Sequence, residues 1–526
     1  DTPAGDQGDV YAEFKEQLTR APEGWNETAL PWKGNHPKLP NNRDGSLRRL
    51  NSLTRKLRRS NLLQDYDAII QDQLSSGIVE LAPEPASEKE FYIPHRPVVK
   101  ETSETKKLRI VYDASAHDRP DTPSLNECLH AGPPLLNELW SVLVRNRLHP
   151  VSLAGDLRQA FLQIRIRESE RDALRFHWWT DLSSNEVITL RFTRALFGLS
   201  PSPFLLNGVI RQHLQLWRNQ LPDVVDEISK SMYVDDFISG ASTVPDAEKL
   251  KSETSRIFKD AQSDLHKWNS NVEELEHCEP NDGDESFAKQ QLAPCARSEE
   301  SKLLGLPWNK REDTLSVVFP EKSTCTTKRG ILSTLANVYD PLGFVSPTML
   351  EGKLIYREAC KQKTAWDAAL STEVTEFWNK FERNLPTSVS RQRSLVAFQE
   401  PIDHVSAAVY TVVSQESGTT QGLLTGKSRV AKQGLTIPRL ELIAGHMAVN
   451  LAVNVRDSLT NLPVDSMVRC WLDSTVALHW INNRGNYRQF VANRVEKIQN
   501  HTNVTWRHVP TTDNPAGIGS RGGKCC

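Results

Sequence analysis

The stretch Tyr233-Val234-Asp235-Asp236 places two adjacent carboxylates between residues that favour β structure. Residues 231–233 precede the acids and residues 237–239 follow them, and this pattern predicts a tight hairpin with the acids at its tip. Neighbouring like charges on a turn are costly unless a cation holds them, and a pair of Mg²⁺ ions would do so. The alternative is a solvated turn, because Asp-Asp pairs occur by chance in many loops.

The chain has 526 residues, which is too long for one hydrophobic core and predicts two to four domains. Its net charge of -2 predicts that any contact with nucleic acid comes from local patches. The eight cysteines include no CxxC pair and no Cys/His metal spacing, which favours reduced thiols in an intracellular protein. We expect it in the cytoplasm, a virus-like particle or the nucleus. No apolar run is long enough for a membrane span, so we expect no membrane partner.

Composition divides the chain into regions. Residues 1–45 are rich in Pro, Asn and Gly and are predicted to form an extended arm. A helical pattern begins at Ser46, with leucines on one face and many Arg and Lys residues around them. This basic helix could contact phosphates or could present a solvated charged face. Residues 271–301 are acidic and turn-rich, which is typical of a linker or insertion.

Asp156 is the predicted partner of the hairpin acids. Phosphoryl transfer by two metal ions needs carboxylates from separate chain segments that converge on ions about 3.5–4 Å apart. Asp156 follows an apolar strand and precedes a turn, so its side chain can project from the strand end. It lies 79 residues before Asp235, which leaves enough chain to bring two central strands side by side.

Five motifs, in order, resemble those of reverse transcriptases. They are a first catalytic motif at 156–164, a substrate- and template-contacting turn at 195–204, the metal hairpin at 233–236, a following motif at 267–271 and a primer grip at 303–308. Within that family the chain resembles BEL/Pao-type retrotransposon polyproteins. The segments that carry this resemblance are 30–33, 94–100, 109–115 and 339–343. The resemblance spans residues 28 to 522, and five ordered motifs are far more specific than one.

The resemblance implies roles for the acids and for one aromatic residue. Asp156 and Asp235 would ligate two Mg²⁺ or Mn²⁺ ions, with Asp236 as a weaker ligand. Phe161 would lie under the sugar, where its ring would clash with a 2′-hydroxyl and so favour deoxynucleotides. The alternative for Phe161 is a core aromatic residue.

The resemblance also implies contacts with the nucleotide and the primer. Arg109, and with less support Lys100, would neutralise the incoming triphosphate, although Lys100 could be an ordinary loop lysine. Gly198 would permit close backbone approach to the nascent base pair. Lys267 would protonate or screen the leaving pyrophosphate, unless it is simply solvated. The remaining expected contacts are Tyr233 at the nucleotide site and Leu304, Gly305 and Trp308 in the primer grip.

The final section resembles a ribonuclease H domain, whose two metal ions are also held by clustered acids. Glu441 and Asp473 match two of the family's ligands, and His508 matches the basic residue of its C-terminal loop. Two positions depart from the family: Glu400 at best replaces an Asp, and Gly517 stands where the last Asp is expected. Because a shift of about 1 Å can cost roughly a hundredfold in rate, we expect impaired or absent cleavage.

The expected fold is α/β and α+β: a right-hand polymerase with fingers, palm and thumb, a helical connection, and then a ribonuclease H-like domain. The predicted domains are the arm at 1–45, fingers and palm at 46–310, thumb and connection at 311–393, and the ribonuclease H-like domain at 394–526. The expected activity is RNA-directed DNA polymerisation with a primer–template of RNA or DNA and deoxynucleoside triphosphates. The alternative is a decayed or host-retained product that binds nucleic acid without catalysis.

Overall fold

The computed structural model describes residues 4–36, 38–101, 106–183, 186–276, 300–321, 326–395, 408–415, 418–431, 434–460, 462, 467–483, 485–514 and 516. These residues form a mixed α/β structure. The helices are α1 (Ala4–Gln17), α2 (Arg43–Arg59), α3 (Leu63–Ser75), α4 (Leu125–Cys128), α5 (Leu139–Asn146), α6 (Ser202–Trp217), α7 (Pro222–Ser231), α8 (Val244–Asp260), α9 (Lys328–Ala336), α10 (Ser346–Lys361), α11 (Thr372–Asn384), α12 (Ile437–Ser458), α13 (Thr475–Asn482) and α14 (Gln489–Gln499). Short 3-10 helices cover Ala160–Gln163, Glu168–Leu174 and Glu273–Leu275.

Most strands are short and pair antiparallel. The strands are β1 (Thr19–Arg20), β2 (Asn26–Thr28), β3 (Val79–Leu81), β4 (His95–Glu101), β5 (Lys106–Tyr112), β6 (Val151–Leu157), β7 (Ile164–Ile166), β8 (Arg175–Trp179), β9 (Val187–Phe192), β10 (Met232–Tyr233), β11 (Asp236–Ala241), β12 (Leu265–Ser270), β13 (Glu300–Leu303), β14 (Leu306–Asn309), β15 (Thr314–Val318), β16 (Ser388–Gln392), β17 (Ala408–Gln415), β18 (Gly418–Gly426), β19 (Val468–Leu472) and β20 (Val504–His508). Parallel pairing joins β2 to β7 and β19 to β20.

The chain divides into two compact units. The first comprises residues 1–137, 156–237 and 251–266, and the second comprises residues 138–155, 238–250 and 267–526. No helix among the described residues is long and apolar enough to cross a membrane.

The prediction of an extended N-terminal arm is wrong for residues 4–17, 19–20 and 26–28. Residues Ala4–Gln17 form helix α1, and β1 and β2 join a three-stranded sheet with β7. Val10 and Phe14, one helical turn apart, are both buried. A Cβ at Gly208 of α6 would lie 2.5 Å from the Phe14 ring, so this glycine makes room for α1. The Pro and Gly residues of this region led to the prediction of an arm, although Val10 and Phe14 give α1 a short apolar face.

The sheet that carries the predicted acids has four strands in the order β10-β11-β6-β12. Strand β6 lies inside this sheet and is buried along its length, except at Asp156, which is half-buried. Because successive residues of a strand point to opposite faces, burial of nearly every residue shows that β6 is covered on both faces. Asp156 therefore emerges near the end of an otherwise buried strand, as its sequence context predicts.

In the second unit, β13, β14, β15 and β16 form an antiparallel sheet in that order. Helices α9 to α11 lie within residues 311–393, where a helical connection is expected, and share a core around Trp378. Helices α12, α13 and α14 bury a separate core with β19. The predicted acidic linker at 271–301 lies largely outside the described residues.

Candidate polymerase and nuclease centres

The predicted hairpin is present at residues 232–237. Tyr233 pairs with Asp236, so Val234 and Asp235 alone form the loop between β10 and β11. Val234 has a φ of 57°, a left-handed conformation that is costly for a β-branched residue. Strain of this kind persists only where the surrounding structure enforces it, and it is often found at functional sites. The prediction of a tight turn carrying two acids is confirmed.

Asp156 lies beside this hairpin although it precedes Asp235 by 79 positions in the sequence. The backbone N–H of Leu157, which follows Asp156 on β6, donates a hydrogen bond of 2.9 Å to the carbonyl oxygen of Asp235. This bond fixes the end of β6 against the tip of the hairpin. The structure therefore brings together all three acids that the sequence predicts for the polymerase site.

The electrostatics of the three acids reflect their proximity. The pKa of Asp235 lies above its usual range. Burial is the main cause and the charge of Asp156 adds to the rise, while a backbone hydrogen bond opposes it. Burial also raises the pKa of Asp236 to about 6, and the charges of Asp235 and Asp156 contribute to that rise. Like charges held together in a half-buried site favour either a proton or a cation. The site is therefore suited to bind a positive charge.

Carboxylate oxygens are the ligands that Mg²⁺ prefers, so the chemistry of the three acids fits such ions. Among the described residues, however, no group of three or more His, Cys, Asp or Glu side chains already has the arrangement of a metal site. The fit to Mg²⁺ therefore rests on the chemistry of the three carboxylates.

Two residues near the acids were missed by sequence reasoning. The Nε2 atom of His266 on β12 lies 3.5 Å from the Oδ2 atom of Asp156. The Asn137 side chain donates hydrogen bonds of 2.9 and 2.8 Å to the carbonyl oxygens of Ser229 and Met232, just before the hairpin. Asn137 thereby holds the junction of α7 and β10. No local pattern marks either residue, because both reach the site through pairing distant in sequence.

The turn around Gly198 packs against protein backbone. Gly198 has a φ of 105°, and a Cβ at this position would lie 2.4 Å from the carbonyl oxygen of Tyr112. Asn126 donates a hydrogen bond of 2.8 Å to the Gly198 carbonyl oxygen and accepts one of 2.8 Å from the Ser200 N–H. The glycine is therefore required by the fold of the turn. Its predicted approach to a base pair stays a prediction.

Phe161 is a core aromatic residue in this structure, the alternative considered from the sequence. Its side chain is 4% exposed and its ring meets the edge of Phe197, with ring centroids 4.4 Å apart. Phe197, by contrast, is 57% exposed. The spacing from Asp156 marked Phe161 as the aromatic residue near the nucleotide. The packing of the two rings instead leaves Phe197 facing solvent and Phe161 in the core.

The remaining predicted nucleotide contacts lie on two sheets, Tyr233 and Lys267 on the sheet of the acids and Arg109 and Lys100 on another. Arg109 is exposed on β5, in a two-stranded ribbon with β4 that is separate from the sheet of the acids. Lys100 lies on β4, but its side chain is outside the described residues. Lys267 is exposed on β12 with a φ of 51°, and Tyr233 is half-buried on β10. The structure neither assembles these residues around a nucleotide nor tests their roles.

The predicted primer grip is a hairpin between β13 and β14. Leu303 pairs with Leu306, so Leu304 and Gly305 form a two-residue loop in which both have positive φ, as a type I′ turn requires. The Tyr339 hydroxyl donates a hydrogen bond of 2.7 Å to the Leu304 carbonyl oxygen. Trp308 does not contribute a surface, because it is fully buried and donates a hydrogen bond of 2.9 Å to Asp313. Its assignment to a primer-contacting surface is therefore corrected to the core.

The second acidic centre is a pair. Glu441 lies near the start of α12, and Asp473 directly follows β19. Burial raises the pKa of Glu441, and the charge and hydrogen bond of Asp473 raise it further. His508 ends β20, where it pairs with Leu472. The predicted stand-in Glu400 and the departure at Gly517 both lie outside the described residues.

A family model matches part of the second unit. Residues 327–474 match the family model of the Pao retrotransposon-like RNaseH-like domain. This match includes both Glu441 and Asp473 and begins before the predicted domain boundary at 394. No curated protein sequence matches the chain.

Solved structures of foamy viral protease-reverse transcriptase have a similar fold. The dRH form in complex with ds DNA is 13% identical with a TM-score of 0.53, over 95% of this chain and 81% of that chain. The complex with an RNA/DNA hybrid is 12% identical with a TM-score of 0.53, over 96% of this chain and 60% of that chain. At such identities the likeness shows the fold.

The family match and the shared fold complement each other. The first assigns residues 327–474 to a Pao retrotransposon type of ribonuclease H-like domain, and the second extends over nearly the whole chain. Together they agree with the resemblance inferred from the motifs: residues 327–474 are similar to a Pao retrotransposon-like RNaseH-like domain, and the fold of nearly the whole chain is similar to that of foamy viral protease-reverse transcriptase.

Proposed function

We propose that the protein is an RNA-directed DNA polymerase of a retrotransposon, which extends a primer on a template by two-metal nucleotidyl transfer. The observation that carries the proposal is the meeting of Asp156 with Asp235 and Asp236 across one hydrogen bond between β6 and the hairpin. In this proposal the sheet β10-β11-β6-β12 belongs to the palm. Fingers and palm occupy residues 46–310, and thumb and connection occupy residues 311–393.

Two Mg²⁺ or Mn²⁺ ions held by Asp156 and Asp235, with Asp236 as a weaker ligand, would activate the attacking oxygen and steady the leaving oxygen. The protein's part is to hold these carboxylates together before the ions arrive. The strained Val234 and the Leu157 to Asp235 hydrogen bond support this, because both fix the turn that carries the acids. Preorganised charge of this kind costs no rearrangement at the moment of reaction.

The proposed partners are a primer–template of RNA or DNA and deoxynucleoside triphosphates. Support for the first comes from the foamy viral structures, which are complexes with ds DNA and with an RNA/DNA hybrid. For the triphosphate we propose Arg109 on the exposed ribbon of β4 and β5 as a clamp, with Lys100 and Lys267 as further cations. The exposed Phe197 and the turn at Gly198 would border the incoming nucleotide.

Primer extension tests the proposal. The full chain should incorporate deoxynucleotides on an RNA template in the presence of Mg²⁺, and Asp235→Asn should lower the rate by about 10³-fold or more, because it removes a charge that stabilises the reacting ions. The matched control is Asp223→Asn, which changes an exposed acid on α7 and should leave the rate unchanged. Wild-type protein that binds the primer–template and never extends it would overturn the proposal.

A second candidate is a decayed or host-retained element product that binds nucleic acid without catalysis. The presence of Gly517 where the ribonuclease H family has an acid favours it, since one centre has already departed from its pattern. The two candidates separate in the same assay, because both predict binding of the primer–template and only the first predicts extension.

A further inference from the structure

Helix α2 carries an unusual concentration of positive charge. It has seven basic residues and one acidic residue, whereas the whole chain has a net charge of -2. The basic residues are Arg43, Arg48, Arg49, Arg55, Lys56, Arg58 and Arg59, and the acidic residue is Asp44. None of these residues belongs to the centres described above.

The charges of α2 lie on the face opposite the core. Leu50, Leu53 and Leu57 are buried and fix which side of the helix faces inward. At about 100° per residue, Arg48, Arg55 and Arg59 fall on the opposite side, and all three are exposed. Their Cα atoms span about 16 Å along the axis at the usual helical rise. These three arginines form the basic row of α2.

Carboxylates neutralise little of this charge. Arg49, at the border of the exposed face, pairs with Asp113 at 2.8 Å. In the described part of the chain, the arginines of the basic row form no ion pair with a carboxylate. Arg55 and Arg59 are four residues apart, a spacing at which like charges destabilise an isolated helix. The arginines of the basic row therefore repel one another, and a bound polyanion would reduce this repulsion.

We propose that the basic row of α2 binds the phosphate backbone of a nucleic acid duplex. The proposal rests on the proposed function and adds a duplex-contacting surface to it. Each strand of a duplex carries about one phosphate per 3.4 Å of axis, so a row of about 16 Å can meet several phosphates. Guanidinium groups suit such contacts because they form paired hydrogen bonds to phosphate oxygens.

The position of α2 agrees with this role. Asp113, the partner of Arg49, directly follows β5, the strand that carries Arg109. The ion pair therefore anchors the helix beside the ribbon of β4 and β5. Contacts to phosphates carry no sequence information, so α2 would hold the duplex without selecting its sequence.

The test compares the triple variant Arg48→Gln/Arg55→Gln/Arg59→Gln with the matched control Lys259→Gln/Lys380→Gln/Arg383→Gln. Both remove three positive charges from exposed helical positions. The Kd for a labelled RNA–DNA duplex is measured by fluorescence anisotropy at salt concentrations from about 50 to about 200 mM. Over this range, affinity that depends on phosphate contacts falls steeply as salt is added. We expect the slope of log Kd against log salt to fall by about 3 in the test variant only. Its Kd at the lowest salt should rise by about tenfold or more.

A charge-preserving triple, with Lys at the same three positions, should keep the wild-type slope, and unchanged circular dichroism confirms folding of every variant. An unchanged slope in the test variant would overturn the proposal, as would an equal loss in the control. Vesicles containing phosphatidylserine provide a second polyanionic surface. The proposal would also be overturned if the wild type bound these vesicles as tightly as the duplex and the test variant did not bind them. Asp235→Asn should bind the duplex as the wild type does, so a failure of polymerisation alone leaves this inference standing.

Discussion

The two acidic centres of this chain differ in how their carboxylates are held. In the first unit, Asp156 emerges from a buried central strand and meets a strained hairpin that carries two more acids. In the second unit, Glu441 and Asp473 form a hydrogen-bonded pair between a helix and a strand end. Both sites raise the pKa of an acid through burial and a neighbouring carboxylate. Both sites therefore contain an acid with a raised pKa, whereas the elements that hold the acids differ.

The largest contrast is expected in catalysis. Asp235→Asn should abolish primer extension, whereas Asp473→Asn should leave extension unchanged, because the two acids serve separate centres. The full chain should hydrolyse the RNA strand of an RNA–DNA hybrid at least about a hundredfold more slowly than an intact ribonuclease H does, since two ligand positions have departed from the family. Hydrolysis is measured in Mg²⁺ and in Mn²⁺. Robust turnover that Asp473→Asn abolishes would break the comparison.

A smaller effect is expected on stability in the absence of metal ions. Burial raises the pKa of Asp236 in the folded protein to about 6, above the ordinary aspartate value of 3.8. Its burial penalty is therefore absent below about pH 4, grows between about pH 4 and pH 6 and is complete above that range. Asp236→Asn should raise the free energy of unfolding by roughly 1–2 kcal/mol at pH 8 in EDTA and should have little effect near pH 4.

Chemical denaturation at the two pH values measures this difference, with Asp223→Asn as the control. Added Mg²⁺ should stabilise the wild type more than Asp236→Asn, since ions would occupy the place of the proton. A stabilisation by Asp236→Asn that is equal at both pH values would contradict the assigned cause. Glu441→Gln should give a similar pH-dependent rise in the free energy of unfolding. Added Mg²⁺ should stabilise this variant as much as it stabilises the wild type, which would distinguish the two centres.

The smallest expected effect concerns Asn137, which has no counterpart described at the second centre. Asn137→Ala removes two hydrogen bonds that hold the chain before the hairpin. We expect kcat for primer extension to fall by about three- to tenfold, with less than a twofold change in KM for the nucleotide, because a small shift of the acids affects the reacting geometry more than binding. Asn384→Ala, at an exposed helix end, is the control. A change confined to KM would show that Asn137 does not act through the hairpin.

The sequence by itself determined the parts of this protein that depend on local pattern. β-favouring residues around two acids predicted the hairpin, and an apolar run ending in Asp156 predicted a strand with an acid projecting from its end. The order of five motifs identified the family resemblance that the comparisons confirm. These features succeed because each lies within a short segment in which propensity and periodicity act directly.

Only the tertiary structure decided which side chains reach a surface and which meet across the sheet. It buried Phe161 and Trp308 and left Phe197 exposed, and it formed α1, β1 and β2 within the expected arm. It also brought His266 and Asn137 to the acids through contacts far apart in sequence. The physical reason is that burial and long-range hydrogen bonds depend on the packing of whole elements, and a local pattern specifies an element without specifying its neighbours.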